Sequence, residues 1–134
     1  MLKIVLGLVL LAHGIGHSLG LLQLSKVATI NPAWQGDSWI LSNLAGATMT
    51  HVIAAVVWTA ALLGFVLLAG VVVGWLPATW WSPLAIAAAA ASLLGLLLFP
   101  SAFPTSSTIG ALVVDVLVLA AVLLSDWGPS DLQA

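Results

Sequence analysis

Cysteine is absent from this chain, which excludes disulfides, thiolate metal ligands, iron–sulfur clusters and c-type haem attachment. Arginine is absent as well, and the only basic side chains besides histidine are Lys3 and Lys26. No basic patch can form to neutralise phosphates, so nucleic acid is excluded as a partner. There is no glutamate, and the zinc-protease arrangement HExxH is therefore missing. Three histidines are also too few for the histidine-rich membrane hydroxylases and desaturases. Charge of either sign is scarce: 4% of the 134 residues, where a soluble domain carries about 25%. Such a chain cannot cover a folded surface with polar groups, and most of it must be solvated by lipid.

What is present agrees with this. Hydrophobic residues make up 63% of the sequence, and mean hydropathy is +1.26. A spanning helix needs about 20 mostly apolar residues. Four runs qualify or nearly so, at 4–24, 49–74, 83–99 and 108–126. The first follows Lys3 as the core of a signal peptide would. Its length, its two central histidines and the lack of an A-x-A site before Thr29 favour a retained span. Ser82-Pro83 gives the third run an N-cap and a proline at the first helical position. Pro100 and Pro104 break the chain before the fourth run, which is expected to begin after Thr105-Ser106-Ser107-Thr108. No internal repeat or separate soluble domain is visible. The expected fold is all-α, a single integral membrane four-helix bundle over residues 1–134.

Tryptophan supports this layout. With an even number of spans, Trp75, Trp80, Trp81 and Trp127 fall on the side of the termini and Trp34 and Trp39 on the other, giving two interfacial belts. Trp58 lies inside the second span and is expected to pack between helices. Lys3 and the α-amino group against Lys26 favour cytoplasmic termini by a narrow margin. On the first helix, Leu6, Val9, His13, Gly16, His17 and Gly20 share one face. Gly16 and Gly20 there form a small-xxx-small seam for close approach. The third helix puts Ala85, Ala88, Ala89 and Ser92 on one face and reads as a packing helix without chemistry of its own.

The candidate site comes from depth. At 1.5 Å per residue, His17 lies about 10 Å and His13 about 16 Å from the Leu24 end of the first span, and Asp115 about 12 Å from the same surface. His51 starts the second helix on this side and would descend about 13 Å if that helix began at Ser42-Asn43. Three helices could thus bring His13, His17, His51 and Asp115 into one layer. Aspartate at mid-span costs about 2.5–3.5 kcal/mol, so Asp115 should face the interior, paired with an imidazole or protonated. Histidine and carboxylate without thiolate suit zinc or non-haem iron, with these four residues as ligands. Haem held by histidine, a proton or solute path, or hydrogen bonding between helices with no ligand are the other roles open to this layer. Thr48, Thr50 and Thr59 are expected to bond back to helix carbonyls. Ser42 and Asn43 read as caps of the second helix, Asp37-Ser38 as a turn or cap, and Asp126 and Asp131 as solvated tail.

The run VLGLVLLAHGIGHSLG resembles the first helix of DoxX-like proteins, small bacterial four-helix membrane proteins with an apolar run followed by HG and a small-residue turn. It is also similar to a broader set of small bacterial membrane proteins with an HGxxH-type first helix. The shared features are His13-Gly14 to His17, the pair Trp80-Trp81 before helix three, and Gly110 with Asp115 in helix four. DoxX-like proteins typically carry a basic residue where this chain has His17. The resemblance implies fold and topology, and a place in the bacterial plasma membrane. The expected function is a multi-pass component, in contact with the lipid bilayer, that associates with itself or with a larger membrane complex. The alternatives are a zinc- or iron-dependent enzyme or transporter and a proton-coupled carrier using Asp115. A transport path would need a dimer.

Overall fold

The computed structural model describes residues 1–125 and 127–133. Four helices account for most of it: α1 (Leu2–Leu24), α2 (Leu41–Val73), α3 (Trp81–Leu98) and α4 (Thr105–Leu123). Short 3-10 turns occupy Ala78–Trp80 and Pro129–Gln133. Each of the four helices is long and apolar enough to cross a membrane. The fold is an all-α membrane bundle, as the four apolar runs predict.

The helix starts differ from expectation. α2 begins at Leu41, eight residues early, and runs through a kink at Gly46, whose φ of 76° is left-handed. Ser42 and Asn43 therefore lie inside the helix. The N-cap position is Ile40, without a side-chain cap bond. In the turn before it Ser38 Oγ accepts from the Leu41 amide and donates to the Leu98 carbonyl, as the turn expected at Asp37-Ser38 implies. α3 starts at Trp81, because the 3-10 turn before it already holds the chain in helical geometry. Pro83 then falls in the first turn, where a missing N–H costs nothing. α4 starts at Thr105 directly after Pro104, so the hydroxyl cluster forms its first turn. The expected end of the fourth span at Asp126 lies outside the described residues. So does the reading of Asp126 as tail. Asp131 is exposed and accepts a bond from the Gly128 amide.

Neighbours in sequence pack side by side: α1 on α2, α2 on α3, α3 on α4. The α1–α4 pairing is much sparser and leaves a groove. The close-approach seam on α1 runs through Gly7, Gly14 and Gly20. A Cβ on Gly14 would lie 3.0 Å from Phe65 Cβ and 3.1 Å from the Leu62 carbonyl oxygen. Gly16, expected in that seam, faces open space and lines the groove. The difference is a rotation of the α1 face that meets α2.

Two apolar clusters fill the bundle. One, toward the termini, centres on Phe65, Leu68, Val72, Trp81 and Ala88. The other, toward the first loop, is built on Trp34, Trp58, Phe99 and Phe103. Outward faces carry exposed Leu8, Ile15, Leu63, Val116 and Leu117, the arrangement for which lipid is the solvent. The tryptophan belts are thinner than expected. Trp39, Trp75 and Trp80 are exposed, whereas Trp34 and Trp81 are buried. Trp81 donates to the Trp127 carbonyl and Trp34 to that of Asp37, so both indoles have partners inside the fold. Trp58 is fully buried, as its position inside the span implies.

The first loop closes one end of the bundle. Gln23 Oε1 accepts from the amides of Ile30 and Asn31, and its Nε2 donates to the carbonyls of Asn31 and Trp34. Asn31 in turn donates to the Ser101 carbonyl in the turn between α3 and α4. One amide side chain at the end of α1 thus fastens the loop, and a second carries the fastening across to the other hairpin.

Candidate functional site

Helix length alone explains why α1 and α4 share a polar level. Asp115 lies ten residues past Thr105, about 15 Å along α4. His13 lies eleven residues before Leu24, about 16 Å along the antiparallel α1. The two meet: His13 Nε2 and Asp115 Oδ1 are 3.0 Å apart, within hydrogen-bond distance. Asp115 is fully buried, and the second carboxyl oxygen accepts from Ser92 Oγ at 2.6 Å. The result is a line Ser92–Asp115–His13 that joins α3, α4 and α1 at the junction of the two apolar clusters.

Ser92 was not expected here. It is the single hydroxyl in the alanine-rich stretch of α3 and is fully buried, so its face does carry polar chemistry. The signal in the sequence is its depth: six residues before Leu98 puts it about 9 Å below the same end of the bundle. An α4 side chain leans toward its own N-terminus, which is that end, and the carboxyl reaches up to the hydroxyl.

His17 is one turn above His13, with the ring edge-to-face on it at 4.9 Å between centroids. It stacks on Trp58 at 5.6 Å and an interplanar angle of 13°. It is buried, and its Nε2 has no hydrogen-bond partner among the described residues; neither has Trp58 Nε1. His13 is held from the other side by Phe65, edge-to-face at 4.3 Å.

His51 does not join this layer. α2 begins early, as the deeper placement required, but its first residues are set off from the rest by the non-helical backbone at Gly46. His51 is exposed and lies against the first loop, where a Cβ on Gly36 would come 2.5 Å from its Nε2. Leu24 touches the same glycine position, so His51 is level with the end of α1. Of the four sequence candidates, His13 and Asp115 are bonded, His17 is beside them and His51 is apart. Among the described residues no group of three or more histidine or carboxylate side chains converges so as to hold a metal ion. Thr50 bonds back to the Gly46 carbonyl, as expected for a hydroxyl in a span.

The order of the polar line limits its chemistry. In a hydrolytic triad the imidazole stands between serine and carboxylate, so that it can take the hydroxyl proton. Here the carboxylate stands between, and the serine hydroxyl is directed at it. Ser92 is therefore not activated as a nucleophile.

No protein-family model, no curated protein and no solved structure matches this chain. The reading of the site rests on its geometry.

Proposed function

We propose that this chain is a non-enzymatic multi-pass component of the bacterial plasma membrane that associates with itself or with a larger membrane complex. The observation that carries the reading is the placement of Asp115 between Ser92 and His13. Both carboxyl oxygens are engaged in tying three helices together, and the order of the groups leaves Ser92 unactivated as a nucleophile. Interhelical bonds of this kind fix the register of α1, α3 and α4 inside the hydrocarbon, where each contributes about 0.6 kcal/mol on average. The resemblance of the first helix to DoxX-like proteins belongs to this proposal, as does an orientation with both termini in the cytoplasm.

The metal-dependent alternative, with zinc or iron on His13, His17, His51 and Asp115, requires the start of α2 to move until His51 leaves Gly36. Elemental analysis and unfolding of detergent-purified protein separate the two. The structural reading expects His13→Ala and Asp115→Ala variants to lose stability, with no near-stoichiometric zinc or iron and no haem absorbance in the parent. Near-stoichiometric metal that disappears in the His13→Ala/His17→Ala variant would overturn it.

A further inference from the structure

We infer that residues 39–45, which lead into α2 ahead of the Gly46 break, are an interaction surface for the bilayer itself. They rest in the boundary between headgroups and acyl chains on the first-loop side, with Trp39, Ile40 and Leu44 in the acyl layer and Asn43 toward the headgroups. The first observation is a surplus of length. The 33 residues of α2 would rise about 50 Å, whereas the hydrocarbon core is about 30 Å thick. His51 is level with the end of α1, and residues 51–73 already rise about 33 Å. The residues before His51 are not needed to cross the membrane.

Bonds to another helix fix the level of this segment. Trp39 Nε1 donates to the Leu97 carbonyl and Ser38 Oγ to the Leu98 carbonyl, both at the end of α3. A straight helix would carry Trp39 about 18 Å beyond His51. Instead the non-helical backbone at Gly46, with φ 76° and ψ 168°, separates the two stretches. The segment therefore starts at the end of the bundle where α1 and α3 finish. In a bundle of four spanning helices that level is the membrane interface.

The second observation is what the segment exposes. Trp39 is 63% and Leu44 76% exposed, and Ile40 is open as well. No charged residue occurs between Asp37 and Asp115, so nothing suits this stretch to water or draws it to an anionic headgroup. The indole N–H of Trp39 is already engaged by Leu97, which leaves the ring an apolar surface. The Leu44 amide bonds to the Ile40 carbonyl, so these two side chains share one side of a helical turn. Asn43 lies about 100° round from Leu44 and forms the polar edge. Further down α2, Met49, Val52, Val56 and Leu63 are exposed at helical spacing, a stripe for which lipid is the solvent. The segment adjoins the upper end of that stripe, and the same lipid covers both. Uncharged aliphatic and tryptophan side chains at this level fit the boundary layer of the membrane.

The test places single cysteines in the full chain, which has none of its own, and attaches a nitroxide to each in nanodiscs of zwitterionic lipid. Power saturation compares oxygen, which concentrates in lipid, with a water-soluble nickel chelate. Gln35→Cys and Val56→Cys, both at exposed positions, give the water and lipid references. The ratio of oxygen to nickel accessibility at Leu44→Cys and Ile40→Cys should exceed that at Gln35→Cys several-fold and fall short of that at Val56→Cys. Asn43→Cys should be more open to nickel than Leu44→Cys. Each reading is taken on protein with the parent circular dichroism, and the two sites one turn apart decide the question separately. The inference is overturned if Leu44→Cys and Ile40→Cys read like Gln35→Cys, which would put the segment in water. It also fails if they are shielded from both reagents, the sign of a covering protein, with spin–spin broadening where that protein is a second copy.

Discussion

Asp115 is the residue on which the interior depends, because it is the common partner of Ser92 and His13. Asp115→Ala would leave a hydroxyl and an imidazole nitrogen unpartnered at mid-membrane, and should lower stability by about 1–3 kcal/mol. Asp115→Asn should cost less than ~1 kcal/mol, since an amide can accept from Ser92 Oγ and donate to His13 Nε2. Ser92→Ala should resemble the milder change. Unfolding in mixed micelles, followed by circular dichroism, checks the order Ala worse than Asn. Equal effects of the two substitutions would mean that charge, and not bonding, sets the contribution of Asp115. The pairing of His13 with Asp115 was legible in the sequence because both are rare at such depth and helix rise is fixed. Ser92 was not, because a serine satisfies itself on its own helix and need not announce a partner. The exclusion of His51 was also hidden, since its place against Gly36 and Leu24 is set by the path of the first loop.

At the scale of elements, the apolar runs located all four helices, but not the face each turns to its neighbour. With small residues on every side of α1, composition permits several seams, and the choice between Gly14 and Gly16 is made by the contour of Phe65 and Leu62 on α2. The two glycines therefore give opposite expectations. Gly14→Leu places a side chain against backbone at 3.1 Å, which cannot yield as a rotamer can, and should destabilise the protein by about 1–3 kcal/mol. Gly16→Leu enters open space and should be neutral or stabilising, since leucine is the better helix former by up to ~1 kcal/mol. The same micelle titration measures both. A reversed order would place Gly16, and not Gly14, against α2. Helix ends were the other illegible feature. Ser42, Asn43 and Ser82 all look like caps by residue type, yet the N-cap position of α2 is Ile40, which makes no side-chain cap bond, and that of α3 is Trp80.

For the whole molecule, the first loop is the part that periodicity could not describe and polar side chains hold. Gln23 makes four bonds to it, and Asn31 links it to the turn before α4. Gln23→Leu should release that loop while the helices stay intact, because the apolar clusters below it do not involve the amide. Hydrogen exchange should rise at the Ile30 and Asn31 amides and remain unchanged at mid-α2; protection unaltered at Ile30 would remove Gln23 from this role. The same architecture fixes which loops share a side of the membrane. An even number of spans puts the first loop opposite the α2–α3 turn, and the absence of native cysteine makes single labels unambiguous. Gln35 and Thr79 are both exposed, one on each of these segments. In intact cells, Gln35→Cys should react with a membrane-impermeant maleimide added outside, and Thr79→Cys only after the membrane is opened. Labelling of both from outside would contradict the four-span arrangement itself. The reverse pattern would keep that arrangement and move the termini to the outer face, a result that the near balance of Lys3 against Lys26 leaves to the measurement.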